Sequence, residues 1–154
     1  MKAAIFTLDT GLYLSKKESA AAGALKRVLE QVGFEVKAAG VLPEDQKVAM
    51  AVLKRLADSK AVDLILTTGA VEVGRRDCAP EVVRGTADRL LPGIPEAVRA
   101  YNIRHTKQAM LDRSEAGVRN RTLMVNLPKS AKAAKESLEY ILPEIVRAVE
   151  MLDV

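Results

Sequence analysis

The sequence predicts an α/β fold, a three-layer α/β/α sandwich with a mostly parallel central sheet. Short apolar runs typical of buried strands recur at residues 2–8, 63–68 and 122–127, and residues 35–42 show the loose alternation of a further strand. Segments with the apolar spacing of helices separate them, and strands that alternate with helices favour a parallel sheet covered on both faces. Because 154 residues is close to the commonest size of one domain, we expect a single domain over residues 1–154.

The composition limits the kinds of ligand and partner. The 24 Lys and Arg residues against 20 Asp and Glu give a formal charge of +4, a weak preference for anionic ligands. Aromatic residues make up 3% of the chain and Trp is absent, so base stacking with single-stranded nucleic acid is not expected. One Cys and one His exclude an internal disulfide and a structural zinc site. Since no long apolar segment is present, we expect a soluble cytoplasmic protein that binds neither nucleic acid nor membrane.

The first half of the chain is predicted to contain two strands, each leading to a helix. The strand at 2–8 ends at Asp9-Thr10-Gly11, and a helix is expected over 19–32 with Gly33 as its C-terminal cap. The strand at 35–42 ends at Pro43, and a helix is expected over 46–59. The predicted buried stripe of this helix consists of Val48, Val52, Leu53 and Leu56.

The second half begins with a strand that runs into a charged loop. Leu64 to Leu66 form a short apolar run, Gly69 marks a sharp turn, and four charged residues follow within six positions. Helices are expected over 80–89, where Pro80 and Glu81 suit a first turn, and within 91–100. The strand at 122–127 leads to a long helix after Ser130. Pro143 is expected to break or kink that helix, whose buried stripe is predicted to be Ala134, Leu138, Ile141, Leu142, Ile145, Val149 and Leu152.

Polar side chains collect in the loops that follow the strands. In open α/β sheets ligands bind outside the carboxyl ends of the strands. The converging loops would carry Asp9, Glu44 with Asp45, residues 69–79 and residues 126–130. Neither a Walker A sequence nor a GxGxxG sequence occurs, so the residues alone indicate a generic anion site.

Two of these loops resemble a known family. The sequence TTGAVEVGRRDCAPE at 67–81 is similar to the TTGGTG and RDVTPE patterns of the molybdenum-cofactor biosynthesis family, the molybdopterin adenylyltransferases MogA and MoaB. The matching residues are Thr67, Thr68, Gly69, Arg76, Asp77, Pro80 and Glu81. The family reads N-L-P-G-S-P-K in the second loop, which is matched here by Asn126, Leu127, Pro128 and Ser130, with Lys129 in place of Gly. Leu8-Asp9-Thr10 resembles the family's Ser-Asp-Thr, and LPEDQ at 42–46 resembles its I-P-D-E turn.

The resemblance implies a molybdopterin-binding-domain fold and Mg²⁺-dependent adenylyl transfer from ATP to molybdopterin. It implies catalytic carboxylates at Asp77 and at Glu44 or Asp45, with Mg²⁺ held by Asp77 and Glu44. The residues expected to bind ligand are Asp9, Thr68, Gly69, Arg76, Asn126, Pro128, Lys129 and Ser130. It also implies a homo-oligomer, either a trimer or a hexamer.

Several of these residues have a plain structural alternative. Asp9 also suits a turn, Ser19 and Asp77 also suit helix N-caps, and Glu44-Asp45 also suit the first turn of a helix.

The glycine loop departs from the family pattern. Ala70, Val71 and Glu72 stand where Gly, Thr and Gly are usual, so part of the close backbone approach that glycine allows is lost. Glu72 also adds a negative charge where phosphate would lie. We therefore expect weaker nucleotide binding than with the usual loop, and a non-catalytic molybdopterin-binding or regulatory protein of the same fold is the alternative function.

Overall fold

The computed structural model describes all 154 residues and alternates strands and helices from one end to the other. The elements in chain order are β1 (Lys2–Leu8), α1 (Thr10–Ser15), α2 (Ala20–Gln31), β2 (Glu35–Leu42), α3 (Gln46–Asp58), β3 (Leu64–Thr68), α4 (Ala79–Thr86), β4 (Arg89–Leu90), α5 (Gly93–Asn102), a 3₁₀-helix (Lys107–Leu111), β5 (Ala116–Arg119), β6 (Thr122–Leu127) and α6 (Ala131–Leu152).

The strands form one six-stranded sheet in the order β2-β1-β3-β6-β5-β4. The pairs β2-β1, β1-β3 and β3-β6 are parallel, whereas β6-β5 and β5-β4 are antiparallel. Leu8 pairs with Leu42, and Thr68 pairs with Leu127. Because the parallel strands end in register, the loops that leave them begin at the same edge of the sheet.

Both faces of the sheet are covered by helices, which confirms the predicted α/β/α sandwich. One apolar cluster joins the sheet to α2, α5 and α6, and a second joins it to α3 and α4. Alternate residues of β1 belong to different clusters, with Ile5 in the first and Phe6 in the second. A strand buried on both faces needs apolar residues at every position, which explains the continuous apolar runs in the sequence.

The predicted buried stripe of α3 is only partly correct, because Val52 and Leu56 pack against the core but are only partly buried, and Val48 is exposed. The buried residues of α3 are Ala49, Leu53 and Ala57, and Val48 is 41% exposed. Small alanines allow the helix axis to lie close to the sheet, so they occupy the inner face although valine is more apolar. Of the predicted stripe, only Leu53 is fully buried.

Other boundaries also differ from the expectations. Helix α4 ends at Thr86 rather than at 89, and α6 continues through Pro143, which is exposed to solvent. The elements α1, β4 and β5 were not predicted, because they are short. None of the helices combines the length and the apolar composition that crossing a bilayer requires.

Candidate functional site

A cavity of about 680 Å³ lies at the carboxyl ends of β3 and β6. Its walls come from the loop after β3, the loop after β6 and the segment that joins α5 to the 3₁₀-helix. The lining residues are Ala70, Val71, Glu72, Asp77, Asn102, Thr106, Gln108, Ala109, Asp112, Pro128, Lys129, Ser130 and Ala133. Carboxylates, amides, hydroxyls and one lysine therefore surround the same space.

The chain leaves β3 through a turn that requires Gly69. Its φ is +86°, and a Cβ atom there would lie 3.0 Å from the Leu8 carbonyl oxygen. Ala70 follows with a φ of 58° although it is not glycine. The side chains of Ala70 and Val71 are 7% and 4% exposed and belong to the apolar cluster beneath α3 and α4. The two replaced positions are thus accommodated by burial in the core.

Glu72 and Asp77 bring carboxylates to the cavity wall. Gln108 Nε2 donates to Glu72 Oε2 at 3.1 Å. The Gly74 backbone N–H donates to Asp77 Oδ2 at 2.9 Å, and the Asp77 N–H donates to the Gly74 carbonyl at 3.0 Å. Helix α4 begins after Cys78, whose side chain makes no capping bond. Asp77 therefore does not cap α4, and its carboxylate closes the turn that precedes the helix.

Arg113 forms hydrogen bonds to the backbone of this loop. Its Nε donates to the Glu72 carbonyl at 2.7 Å and its Nη2 donates to the Asp77 carbonyl at 2.8 Å. The same guanidinium holds both oxygens of Glu81, at 2.8 and 3.2 Å. These hydrogen bonds lower the pKa of the Glu81 carboxyl and raise the pKa of Arg113. Arg113 was not predicted as a site residue, because its partners are distant in the chain.

The loop after β6 presents the amino terminus of α6 to the cavity. Ser130 caps α6 by accepting the Ala133 N–H at 3.1 Å, and Lys129 beside it is exposed. Thr68 Oγ1 donates to the Pro128 carbonyl, which ties this loop to the end of β3. A helix amino terminus carries partial positive charge and free N–H groups. This side of the cavity is therefore suited to an anionic group.

Asn126 lies beneath the cavity rather than on its wall. The side chain is 1% exposed. Its Nδ2 donates to Thr67 Oγ1 at 2.7 Å and its Oδ1 accepts the Glu115 N–H at 3.0 Å. Thr68 and Gly69 are also buried. Arg76 is exposed and does not line the cavity, so the ligand contacts of these four residues stay predictions.

The remaining predicted carboxylates lie next to the cavity, at the ends of β1 and β2. Asp9 caps α1 by accepting the Leu12 N–H at 3.0 Å. Asp45 caps α3 by accepting the N–H groups of Lys47 and Val48 at 3.0 and 3.2 Å. Glu44 Oε1 accepts the Thr10 N–H at 3.1 Å. None of the three lines the cavity, so the structure does not bring them together with Asp77 on one wall.

The charges of Glu44 and Asp45 nevertheless act on the end of the loop that carries Asp77. Burial, followed by the carboxylates of Glu44, Glu81 and Asp45, raises the pKa of the Cys78 thiol to about 11. Cys78 is adjacent to Asp77, so Glu44 and Asp45 act on the same part of the loop, where the Arg113 guanidinium supplies the opposite charge.

The structure contains no group of three or more His, Cys, Asp or Glu side chains arranged to hold a metal ion by themselves. Mg²⁺ does not need three protein ligands, because proteins usually bind it through one or two carboxylates while substrate phosphates and water complete the octahedron. Asp77 meets that requirement. The residue lines the cavity, and only its Oδ2 accepts the Gly74 N–H, which leaves Oδ1 to bind a cation. The residues present therefore fit a Mg²⁺ ion that arrives with a phosphate ligand.

Comparison with known proteins gives a consistent result. The family described as probable molybdopterin binding domain matches residues 4–147. The chain is 34% identical over 100 residues to the molybdopterin adenylyltransferase of Helicobacter pylori strain J99, which is 65% of this chain and 57% of that protein. It is 34% identical over 101 residues to the molybdopterin adenylyltransferase of Escherichia coli K12, which is 66% of this chain and 52% of that protein. The chain thus matches little more than half the length of these curated relatives.

Solved structures match over almost the whole chain. The crystal structure of the molybdopterin biosynthesis enzyme MoaB from Thermus thermophilus is 37% identical with a TM-score of 0.89, covering 98% of this chain and 95% of that one. The molybdopterin biosynthesis Mog protein from Mycobacterium ulcerans has a TM-score of 0.92 at 24% identity, with 98% of each chain covered, and supports the fold alone.

Proposed function

The chain belongs to the probable molybdopterin binding domain family, and we propose on this premise that it transfers an adenylyl group from ATP to molybdopterin in molybdenum cofactor biosynthesis. The relatives named molybdopterin adenylyltransferase support the activity. The observation that carries the proposal is the cavity, in which Asp77 faces the same space as Lys129 and Ser130 at the start of α6. The non-catalytic alternative is not favoured, because the relatives are named as enzymes.

The two sides of the cavity suit different parts of this reaction. In adenylyl transfer an oxygen of the acceptor forms a bond to the α-phosphorus of ATP while the bond to pyrophosphate breaks. Lys129 and the N–H groups at the start of α6 would hold phosphate oxygens and stabilise the charge that develops on them. Asp77 would hold Mg²⁺, which when bound neutralises phosphate charge and orients the leaving group. The protein contributes mainly by positioning and electrostatics, as is general for phosphoryl chemistry.

Further parts of the proposal extend beyond the residues that line the cavity. Glu44 or Asp45 as a second catalytic carboxylate, Glu44 as a second Mg²⁺ ligand and Asp9 as a ligand contact stay predictions, because these residues lie beside the cavity. Self-association into a trimer or hexamer also stays a prediction. The exposed apolar residues along the hollow between α5 and α6, which include Leu91 and Met151, support an interface there. The cytoplasmic location expected from the sequence is likewise proposed.

The test of the function is the Asp77→Asn variant. Asparagine still offers an oxygen to the Gly74 N–H, so the melting temperature should change by less than about 2 °C while the charge that Mg²⁺ needs is lost. We expect adenylyl transfer to molybdopterin to fall by about 100-fold or more, since removing a metal ligand costs several kcal/mol of transition-state stabilisation.

Asp88→Asn is the matched control. Asp88 also accepts one backbone N–H, that of Asn120 at 2.8 Å, and it lies outside the cavity. Its variant should keep wild-type turnover. If wild-type protein is active and Asp77→Asn keeps full turnover at unchanged stability, the assigned role of Asp77 is refuted. If wild-type protein is inert with ATP, Mg²⁺ and molybdopterin while still binding the pterin, the adenylyl-transfer function is refuted.

A further inference from the structure

Arg113 bonds to both ends of the loop that carries Asp77. Its backbone N–H donates to the Val71 carbonyl at 2.8 Å, just before the loop. Its guanidinium donates to the Glu72 carbonyl at 2.7 Å and to the Asp77 carbonyl at 2.8 Å. Between these two points, residues 73–76 are all exposed. One side chain therefore closes the base of an otherwise solvent-facing loop.

The guanidinium is itself held in a fixed orientation. Glu81 in the first turn of α4 accepts from both Nη atoms, at 2.8 and 3.2 Å. A planar guanidinium with five donors reaches two carbonyls and one carboxylate at the same time, whereas the single ammonium of lysine cannot reproduce that geometry. Glu81 of helix α4 thus fixes the Arg113 guanidinium, and the guanidinium in turn fixes the two loop carbonyls to which it donates.

We propose that Arg113 is a positioning residue for adenylyl transfer, one that fixes the direction of the Asp77 carboxylate into the cavity. Its bond to the Asp77 carbonyl fixes the backbone of that residue, and the Gly74 N–H fixes the side chain at 2.9 Å. With both constraints the carboxylate is orientated before any ligand binds. This inference rests on the proposed function, because it assigns Asp77 the task of holding Mg²⁺.

The Arg113→Lys variant tests the inference, and Arg84→Lys is its matched control. Arg84 also bonds to Glu81, at 3.4 Å, and to Glu115, at 2.9 Å, but neither bond reaches the loop. Both variants keep the net charge. We expect Arg113→Lys to lower kcat by about 10- to 100-fold and to raise the Mg²⁺ concentration for half-maximal rate by about 10-fold, the usual cost of losing a residue that orients a metal ligand. The KM for molybdopterin should change little, and Arg84→Lys should match wild type in all three quantities.

A second measurement does not depend on activity. Arg75 and Arg76 are exposed within the loop, so trypsin reports how often the loop departs from its closed form. Cleavage after these residues should become about 10-fold faster in Arg113→Lys and stay unchanged in Arg84→Lys, when measured by mass spectrometry on the full chain. Should Arg113→Lys fold poorly, Glu81→Gln removes the carboxylate that fixes the guanidinium and should shift cleavage and Mg²⁺ requirement in the same direction by a smaller factor.

The outcomes separate this inference from the function on which it rests. An active wild type together with wild-type kcat, Mg²⁺ dependence and cleavage in Arg113→Lys would overturn the positioning role alone. A rise in cleavage without any change in Mg²⁺ dependence would overturn it as well. Arg113 would then hold the loop closed without affecting how Asp77 binds Mg²⁺. A wild type that binds the pterin but is inert would refute adenylyl transfer, and with it this role in catalysis, whatever the cleavage rates show.

Discussion

Glu72 places a negative charge on the cavity wall where the family pattern has glycine. Its carboxylate accepts one hydrogen bond from Gln108 at 3.1 Å and forms no salt bridge. The charge is therefore left to act on whatever ligand enters the cavity. Glu72→Gln removes it with almost no change of shape, and an amide oxygen can still accept from Gln108.

The size of the effect follows from the size of the cavity. A volume of about 680 Å³ corresponds to a width of roughly 9 Å. Two unit charges about 9 Å apart at an effective dielectric constant of about 40 repel each other by about 1 kcal/mol. Glu72→Gln should therefore lower the Kd of ATP about 5-fold.

Titration calorimetry of ATP with wild type and Glu72→Gln measures this difference. The gain should be largest at about 0.01 M salt and should shrink at about 0.5 M, because salt screens the repulsion. Asp153→Asn is the control for net charge, because Asp153 lies far from the cavity. It follows the carboxyl end of the 22-residue α6, whereas the cavity lies at the amino end, which Ser130 caps. An unchanged Kd at low salt would show that the Glu72 charge does not act on the phosphates, and an equal gain in Asp153→Asn would show that the effect is one of net charge.

The structure supports two further predictions. Asn126→Ala should lower the free energy of unfolding by about 2–4 kcal/mol in urea titrations, because it leaves Thr67 and the Glu115 N–H without partners in a buried site; a loss below about 1 kcal/mol would contradict this. Cys78 should react with iodoacetamide at pH 8 about 100-fold more slowly than a cysteine peptide, and its rate should keep rising to about pH 11, since burial raises its pKa to about 11. A rate equal to that of the peptide would refute the raised pKa.

The strands β1, β3 and β6 were predictable from the sequence because each is buried on both faces. Strand β2 has no fully buried residue, and its prediction rested on a loose alternation that ends at Pro43. Residues 2–8, 35–42 and 122–127 became strands with these bounds, and the strand expected at 63–68 begins at Leu64. Burial on two faces leaves an apolar run that is difficult to mistake. By contrast, β4 has two residues, both exposed, so its pairing with β5 leaves no apolar pattern in the sequence.

The site was only partly predictable, because a pattern of residues does not show where side chains point. Asp77, Pro128, Lys129 and Ser130 were expected at the site and do line the cavity. Asp9 and Asp45 cap helices outside the cavity wall, whereas the structural alternatives expected for them were a turn and the first turn of a helix. The contribution of the α5 region, through Asn102 and Gln108, was missed because these are ordinary polar residues without a motif of their own.

The altered glycine loop changes the cavity less than its sequence suggests. Ala70 keeps a left-handed backbone with φ of 58°, at a cost of roughly 1 kcal/mol for an L-residue. The burial of its methyl group offsets part of that cost, and Val71 is buried beside it. Both add apolar surface to the cavity without adding charge. Of the three replacements in this loop, only Glu72 brings a new charge to the cavity, so a weakening of nucleotide binding by this loop should originate at Glu72. Lys129, which replaces the family glycine in the second loop, brings the opposite charge to the same cavity.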